Sequence, residues 1–249
     1  MVKIAFVNQK GGVGKTTSAV NVAAGLSMLG RRVLLIDLDP QAHATVSLGL
    51  SPELEKTTFE LLGGSAAASE TIVDRDGLAV IPAGLQLAGA DMRFINEPGR
   101  EILLRSALDG IKYDYILIDC PPSIGLLTMN ALSFATAVYI PFKTEYLPIR
   151  GMDQLTQSIE LIRRRLNPGL SIEGVFGTFY DSRRVIDRDV MDYIKQAFGD
   201  KVFKTAIRSN VALAEAPSVG KTIFEYAPNS HGAADFMALC EEIEGGYNG

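Results

Sequence analysis

The chain has 249 residues, of which 47% are hydrophobic and 21% charged; this composition supports a sizeable core and excludes a disordered chain. Its two cysteines, Cys120 and Cys240, exclude a disulfide scaffold and suit a reducing compartment. The net charge of −5 provides no overall attraction to nucleic acid, so any DNA binding must come from a local basic patch. No apolar run approaches the roughly 20 residues of a membrane span. Met1 leads directly into a strand-like run, so we expect no signal peptide.

Apolar strand-like runs alternate with helical patterns along the chain. This alternation is typical of an α/β fold with a mostly parallel sheet and helices on both faces. The candidate strands are residues 2–7, 32–37, 78–81, 114–118, 137–141 and 172–179. Since the sequence shows neither internal repeats nor a linker, we expect a single domain over residues 1–249.

Four segments have the apolar spacing of helices. They are residues 15–30, 148–166, 184–198 and 232–244. Gly30 provides a natural end for the first helix, and Tyr146 and Pro148 are expected to form a turn before the second. Residues 51–77 are the least regular part of the chain, with a loop expected at 63–68.

A glycine-rich segment follows the first strand-like run and precedes the first helix. Such a turn can cradle nucleotide phosphates, because glycines let backbone N–H groups turn inward and the helix presents its positive end. Lys15 can reach the β- and γ-phosphates, and the Thr16 hydroxyl can bind Mg²⁺. The predicted phosphate-binding residues are Lys10, Gly11, Gly12, Val13, Gly14, Lys15, Thr16 and Thr17.

This loop departs from the standard Walker A pattern, because Gln9 occupies the position of the first glycine and an extra lysine, Lys10, follows it. The sequence Lys-Gly-Gly-Val-Gly-Lys-Thr-Thr resembles the deviant Walker A loop of the ParA/MinD family of P-loop ATPases. The resemblance implies that Lys10 crosses a dimer interface and touches the phosphates bound by the partner subunit. The alternative is that Lys10 is an ordinary solvated loop lysine.

Carboxylates follow two of the predicted strands. The run 32–37 ends at Asp37, with Asp39 two residues later, and the run 114–118 is followed by Asp119. Because the carboxyl ends of parallel strands meet at one edge of the sheet, these side chains should lie near the phosphate loop. Asp119 is placed to bind Mg²⁺ through water. The alternative for Asp37 and Asp39 is that they cap a turn between strand and helix.

The segments around these carboxylates extend the resemblance. Leu-Leu-Ile-Asp-Leu-Asp-Pro-Gln resembles switch I of the ParA family, and Asp-Cys-Pro-Pro-Ser at 119–123 resembles switch II. Residues 213–222 also resemble a family segment near the nucleotide base and the dimer face. Coverage is essentially the whole chain, which is identified as a chromosomal Soj/ParA-type ATPase without an N-terminal helix-turn-helix domain. By this resemblance Asp39 orients the attacking water, and Asp37 helps to hold the Mg²⁺ shell.

The nucleotide expected from the sequence is ATP. No Asn-Lys-x-Asp tetrapeptide, which reads guanine, occurs in the chain, and its absence favours ATP over GTP. Phe179, Tyr180 and Asp181 follow the strand after which a base-reading segment would lie, and we expect them to border the adenine together with Asn210.

The resemblance implies a molecular switch. An ATP-bound homodimer with slow hydrolysis binds double-stranded DNA without sequence preference. The basic N-terminal peptide of a ParB-type partner then stimulates hydrolysis and release. The implied outcome is partition of a chromosome or plasmid by a cytoplasmic, nucleoid-associated protein.

The basic surface required for DNA binding is modest. Residues 181–221 contain eight basic and six acidic residues, so an ordinary mixed-charge surface remains an alternative. Relatives usually have Ile-Pro-Arg-Asn-Val-Arg where this chain has 207–212, so Ser209 and Ala212 replace arginines and Arg208 replaces a proline. The expected DNA-binding residues are Arg183, Arg184, Lys204, Arg208 and Lys221.

Three other functions remain as alternatives. A ParA-like ATPase could position a cargo other than DNA. A membrane-positioning ATPase of the MinD type would need a basic amphipathic C-terminal helix, whereas residues 241–249 are acidic. A metabolic P-loop enzyme would need a second substrate pocket, for which the sequence identifies no residues.

Overall fold

A single sheet of seven strands organises the part of the chain that the computed structural model describes, residues 1–144 and 149–247. In chain order the strands are β1 (Val2–Phe6), β2 (Val33–Asp37), β3 (Val73–Arg75), β4 (Leu78–Ile81), β5 (Tyr115–Asp119), β6 (Ala137–Lys143) and β7 (Ser171–Thr178). Across the sheet the order is β3-β4-β2-β5-β1-β6-β7. Every pair is parallel except β3 with β4. The predicted α/β fold with a mostly parallel sheet is thus confirmed.

Twelve α-helices occur within the described ranges. They are α1 (Lys15–Met28), α2 (His43–Ser47), α3 (Thr58–Leu62), α4 (Ala68–Thr71), α5 (Ala90–Arg93), α6 (Leu103–Ala107), α7 (Leu126–Phe134), α8 (Ile149–Arg165), α9 (Val185–Phe198), α10 (Val211–Glu215), α11 (Ile223–Tyr226) and α12 (His231–Tyr247). Short 3₁₀ turns lie at Leu85–Gly89, Arg100–Ile102, Gly199–Lys201 and Ala216–Val219. None of the helices in these ranges is long and apolar enough to cross a membrane.

Both faces of the sheet are buried. Successive residues of β2 point to opposite sides, so Leu34 and Ile36 belong to one apolar cluster and Leu35 to another. The first cluster includes Leu155 of α8, and the second includes Leu26 of α1. This double burial explains why the central strands are almost uninterrupted apolar runs in the sequence.

The six predicted strands are present within two residues of their expected bounds, but the sequence missed β3. This strand has three residues, all at least partly exposed, and it forms a hairpin with β4 through Asp76 and Gly77. Both turn residues have positive φ, 51° and 86°. So short a strand has no recognisable apolar alternation.

The four predicted helices are present with their ends within three residues of the expected bounds. The first ends at Met28, and Gly30, which adopts a left-handed φ of 82° just beyond it, provides the stop that the sequence predicted. Residues 51–77 are more ordered than expected, since they contain α3, α4 and β3. The predicted turn containing Tyr146 and Pro148 lies outside the described residues.

Helix α1, which follows the phosphate loop, packs closely on α12. A Cβ atom on Gly25 of α1 would lie 2.5 Å from the Cys240 sulfur and 3.3 Å from a ring atom of Phe224. Cys240 is fully buried. The absence of a side chain at Gly25 therefore sets how near the loop's supporting helix approaches α12.

We predict that Gly25→Ala lowers the free energy of unfolding by about 1–3 kcal/mol, because the added methyl group overpacks this contact. Chemical denaturation measures the change. Gly245→Ala on α12 is the matched control: its Cβ would meet no atom within 4 Å, so its stability should equal or exceed that of the parent. Cys240→Ala should restore part of the loss in the Gly25→Ala background. A Gly25→Ala protein as stable as the parent would contradict the packing argument.

Candidate functional site

The loop between β1 and α1 forms an open concave surface at the carboxyl edge of the sheet. Gly12 and Gly14 have φ values of 69° and 83°, which only glycine adopts without strain. A Cβ atom on Gly11 or Gly12 would meet no atom within 4 Å, so space lies directly above the loop backbone. Backbone N–H groups around such a concavity, at the start of a helix, suit an anion.

The side chains of Thr178 and Asn8 tie the loop to two neighbouring strands, β7 and β6. The Thr178 hydroxyl at the end of β7 lies 3.0 Å from the Val13 carbonyl oxygen. The Asn8 amide donates to a carbonyl of β6 at 2.8 Å, while its oxygen accepts a hydrogen bond from the Lys10 N–H at 3.0 Å. The cradle is consequently part of the rigid sheet edge rather than a separate surface loop.

The two lysines of the loop lie in different environments. Lys15 is only 7% exposed, and its ammonium lies 3.3 Å from the Lys10 carbonyl oxygen. Burial lowers the pKa of Lys15, while the carboxylates of Asp119 and Asp39 oppose that shift. Lys10 is exposed. The two lysines therefore differ in what they can reach: Lys15 faces its own site, and Lys10 is presented at the surface.

Asp37 occupies the end of β2 and is fully buried. Its two oxygens accept hydrogen bonds from the Asp39 N–H at 3.0 Å, and from the N–H and hydroxyl of Thr45 at 2.8 Å each. Burial raises the pKa of Asp37 to about 6, although these hydrogen bonds act against the shift. The geometry supports the alternative drawn from the sequence, a carboxylate that holds the strand–helix turn. Its metal-shell role stays a prediction.

Asp119 lies beside Asp37 in register and is also fully buried. Neither of its oxygens has a hydrogen-bond partner among the described residues. Burial raises its pKa well above the usual range, and the nearby Asp37 charge adds to the shift. A buried carboxylate without a partner is costly. Its position beside the Lys15 ammonium and the Thr16 hydroxyl fits a cation that bridges the protein and phosphate oxygens.

This arrangement fits Mg²⁺ held mainly by its nucleotide. Within residues 1–144 and 149–247, no group of three or more His, Cys, Asp or Glu side chains could hold a metal ion. Mg²⁺ commonly takes one or two protein oxygens and completes its shell with phosphates and water. Thr16 and Asp119 are the side chains that would supply those oxygens.

Asp39 stands at the entrance to the site. It is 7% exposed, and one of its oxygens accepts a hydrogen bond from the Gln41 N–H at 2.9 Å. The chain then turns sharply through Ala42, which has a φ of 52°. Its carboxylate is near enough to Asp119 to raise the pKa of that group. Asp39 therefore lies close to the proposed phosphate site, as a group that orients the attacking water must.

A cavity of about 130 Å³ continues from the phosphate loop. Gly14 and Thr17 belong to both, and Asn210 lines the cavity as predicted. Tyr180 and Asp181 do not line it, so the adenine contacts expected of them are not supported. Asp181 instead accepts two side-chain hydrogen bonds from Arg183, which hold the pKa of this carboxyl well below its usual range.

Phe179, which the sequence also predicts to border the adenine, lines the cavity. Its φ of 55° is a strained conformation for an aromatic residue, and the Lys143 ammonium lies 4.7 Å from its ring centre. Sequence reasoning missed Ser18, which lines the cavity and has a buried hydroxyl. Ser18 had no signal in the sequence, because the direction of a helix face depends on the packed structure.

The predicted DNA-binding residues fall into two groups. Arg183, Arg184, Lys204 and Lys221 are exposed, although Arg183 is paired with Asp181. Arg208 is exposed as well, with 47% of its side chain accessible, but its guanidinium is paired with Asp235 and its side chain lines the cavity. The DNA contact expected of Arg208 stays a prediction.

Comparisons with known proteins agree with this geometry. Residues 1–172 match the AAA domain family AAA_31. The sporulation initiation inhibitor protein Soj of Bacillus subtilis is 45% identical over 245 residues, covering 96% of this chain and 97% of that protein. The chromosome-partitioning ATPase Soj of Treponema pallidum is 43% identical over 244 residues, with 96% of each chain covered.

A solved structure with bound nucleotide matches as well. The crystal structure named cobyrinic acid a,c-diamide synthase from Mycobacterium smegmatis, with an ATP analogue and magnesium, superposes with a TM-score of 0.87 at 36% identity. The match covers 97% of this chain and 93% of that one. The sequence identity to the Soj proteins extends over nearly the full length of the chain, and the phosphate cradle lies at the edge of the sheet. This chain therefore belongs to the Soj/ParA family of chromosome-partitioning ATPases.

Proposed function

We propose that this ATPase is a switch that dimerises around Mg²⁺–ATP, binds DNA without sequence preference as the dimer, and drives partition together with a ParB-type partner. The observation that carries the proposal is the contrast between the two P-loop lysines. Lys15 is buried in its own site, whereas Lys10 is exposed at the same loop. A second copy meeting this edge would place its Lys10 near the phosphates.

ATP binding follows from the cradle. Backbone N–H groups of the loop and the start of α1 surround the phosphates, and the Lys15 ammonium lies against the β- and γ-phosphates. Thr16 and Asp119 would hold Mg²⁺ from the protein side, and the ion would neutralise charge on the phosphates. Asp119, whose oxygens accept no hydrogen bond from the described residues, would thereby gain a partner.

Hydrolysis in this scheme needs two further groups. Asp39 orients the attacking water, and the partner copy's Lys10 stabilises the charge that develops on the transferred phosphoryl group. Since a single chain provides only part of this set, hydrolysis should be slow and dependent on dimerisation. ATP thus acts mainly as a switch.

The DNA-binding surface is proposed on the exposed basic residues Arg183, Arg184, Lys204 and Lys221. Binding would be electrostatic and would weaken with salt. Chromosome partition in the named Treponema pallidum relative supports nucleoid association as the setting. The name of the Mycobacterium smegmatis structure points to a different possibility, a metabolic enzyme whose turnover depends on a small acceptor substrate.

We predict different defects for the two P-loop lysines. Lys15→Ala should weaken ATP binding by about 10–100-fold, because a charge-assisted contact to phosphate is lost. Lys10→Ala should bind ATP normally yet fail to dimerise. Calorimetry with Mg²⁺–ATP and light scattering measure the two effects. Lys112→Ala, an exposed lysine before β5 at the other end of the sheet, is the control. An ATP dimer of normal affinity in Lys10→Ala would refute the cross-subunit role.

We predict that Asp39→Ala lowers kcat by about 100-fold, because the attacking water loses its orienting carboxylate. The ATP dimer should accumulate and retain mixed-sequence duplex DNA with ATP, not with ADP, in a salt-dependent manner. Asp109→Ala, on an exposed turn, is the control. Unchanged turnover would remove Asp39 from the mechanism. A dimer that ignores DNA, in a protein activated by a small acceptor, would favour the metabolic alternative.

We predict opposite effects of Asp119→Asn on the two states of the protein. Without nucleotide the variant should be more stable by about 1–3 kcal/mol, since a buried carboxyl that is costly to ionise is removed. The additional stabilisation by Mg²⁺ in the presence of ATP should disappear. Thermal denaturation with and without Mg²⁺–ATP tests both effects. Asp114→Asn, which affects an exposed ion pair with Arg32, is the control and should leave stability nearly unchanged. A destabilised nucleotide-free Asp119→Asn protein would contradict this account.

A further inference from the structure

The cavity beside the phosphate loop has the form of a site for a flat aromatic group. Gly14 and Thr17 connect it to the cradle, so that a nucleotide held by its phosphates extends into it. Its apolar walls include Phe179, Leu213 and Phe236. Apolar walls with a few converging polar groups are typical of ligand sites.

One polar group in the cavity lacks a partner. Ser18 is 0% exposed and is among the residues that line the cavity, and its hydroxyl oxygen makes no hydrogen bond with the described residues. Buried hydroxyls are almost always paired, because leaving one unpaired costs free energy. A buried hydroxyl at the cavity wall with an unmet hydrogen bond is consistent with a site that a ligand completes.

Arg208 provides a fixed planar group at the same cavity. Its Nε lies 3.1 and 3.0 Å from the two carboxylate oxygens of Asp235, and its second terminal nitrogen donates to Asp235 at 2.6 Å. The Arg208 backbone N–H donates to the same carboxylate at 2.9 Å. Asp235 is 8% exposed on α12. Three N–H groups of Arg208 thus donate to one anchored carboxylate, and the two that belong to the guanidinium set its plane before any ligand arrives.

We propose that Arg208 is a base-stacking residue and Asp235 its positioning residue: the guanidinium of Arg208 packs against the face of the nucleobase that enters this cavity. The inference rests on the proposed nucleotide binding and deepens it. A planar guanidinium stacks on aromatic faces, whereas the ammonium of lysine does not offer a plane. The proline that relatives usually have at this position has no charge, so the ion pair is a feature of this chain.

The proposal predicts a graded loss of ATP affinity. Arg208→Ala should raise the Kd for Mg²⁺–ATP by about 3–10-fold, since the stacking contact of a partly exposed guanidinium is lost. Arg208→Lys should be nearly as weak, because it keeps the charge but not the plane. Asp235→Asn should raise KM and leave kcat unchanged, because it loosens the guanidinium without touching the phosphates. Ser18→Ala should also weaken ATP binding while making the nucleotide-free protein more stable.

Calorimetry with ATP, steady-state kinetics, and DNA retention at saturating ATP form the test, with the exposed Arg163 changed to Ala as the matched control. At saturating ATP the Arg208 variants should retain DNA as the parent does. Wild-type affinity in Arg208→Lys would overturn stacking, and so would wild-type affinity in Arg208→Ala. Loss of DNA retention with an unchanged Kd for ATP would instead assign Arg208 to DNA. If the unaltered protein bound no ATP, the proposed function itself would fail.

Discussion

The burial of two adjacent carboxylates at the carboxyl edge of the sheet is the constraint on which the site depends. Asp37 and Asp119 are register partners on β2 and β5, and both are fully buried. Burial raises the pKa of both carboxyls, and the Asp37 charge adds to the shift of Asp119. Asp37 accepts internal hydrogen bonds, whereas the oxygens of Asp119 accept none from the described residues. This difference is why a cation at the site is proposed beside Asp119.

This division links the nucleotide site to the segment that follows β2. Asp37 fixes Asp39 through its backbone and Thr45 through two hydrogen bonds. The Thr45 hydroxyl in turn accepts a hydrogen bond from the Ala83 N–H at 2.9 Å. The proposed water-orienting carboxylate therefore stands on a buried network rather than on a free loop. Positioning of this kind accounts for much of the catalysis of phosphoryl transfer.

Hydrogen bonds around the proposed nucleotide site also join elements that are distant in the sequence. Asn21 of α1 donates to the Thr17 carbonyl at 2.7 Å and accepts from the Ile223 N–H at 2.8 Å. Arg208 and Asp235 extend the connection to α12. A ligand that contacts the phosphate loop and Arg208 together would bind to parts of the chain that are almost 200 residues apart. These contacts provide a physical route by which ATP could order the C-terminal elements around the proposed DNA surface.

The sequence by itself determined the sheet, the phosphate loop and the two strand-end carboxylates, because apolar runs, glycines before a helix and acids after strands are local patterns. Which of the expected residues line the base cavity was decided by the tertiary structure. Phe179, Tyr180 and Asp181 all seemed suited to it by their place after β7, yet of these three only Phe179 lines it, since the chain turns there with positive φ. Arg208 looked like a DNA contact until its pairing with Asp235, 27 residues away, gave it another neighbour. Spacing along the chain cannot show such pairings, because they depend on how α12 packs against the sheet.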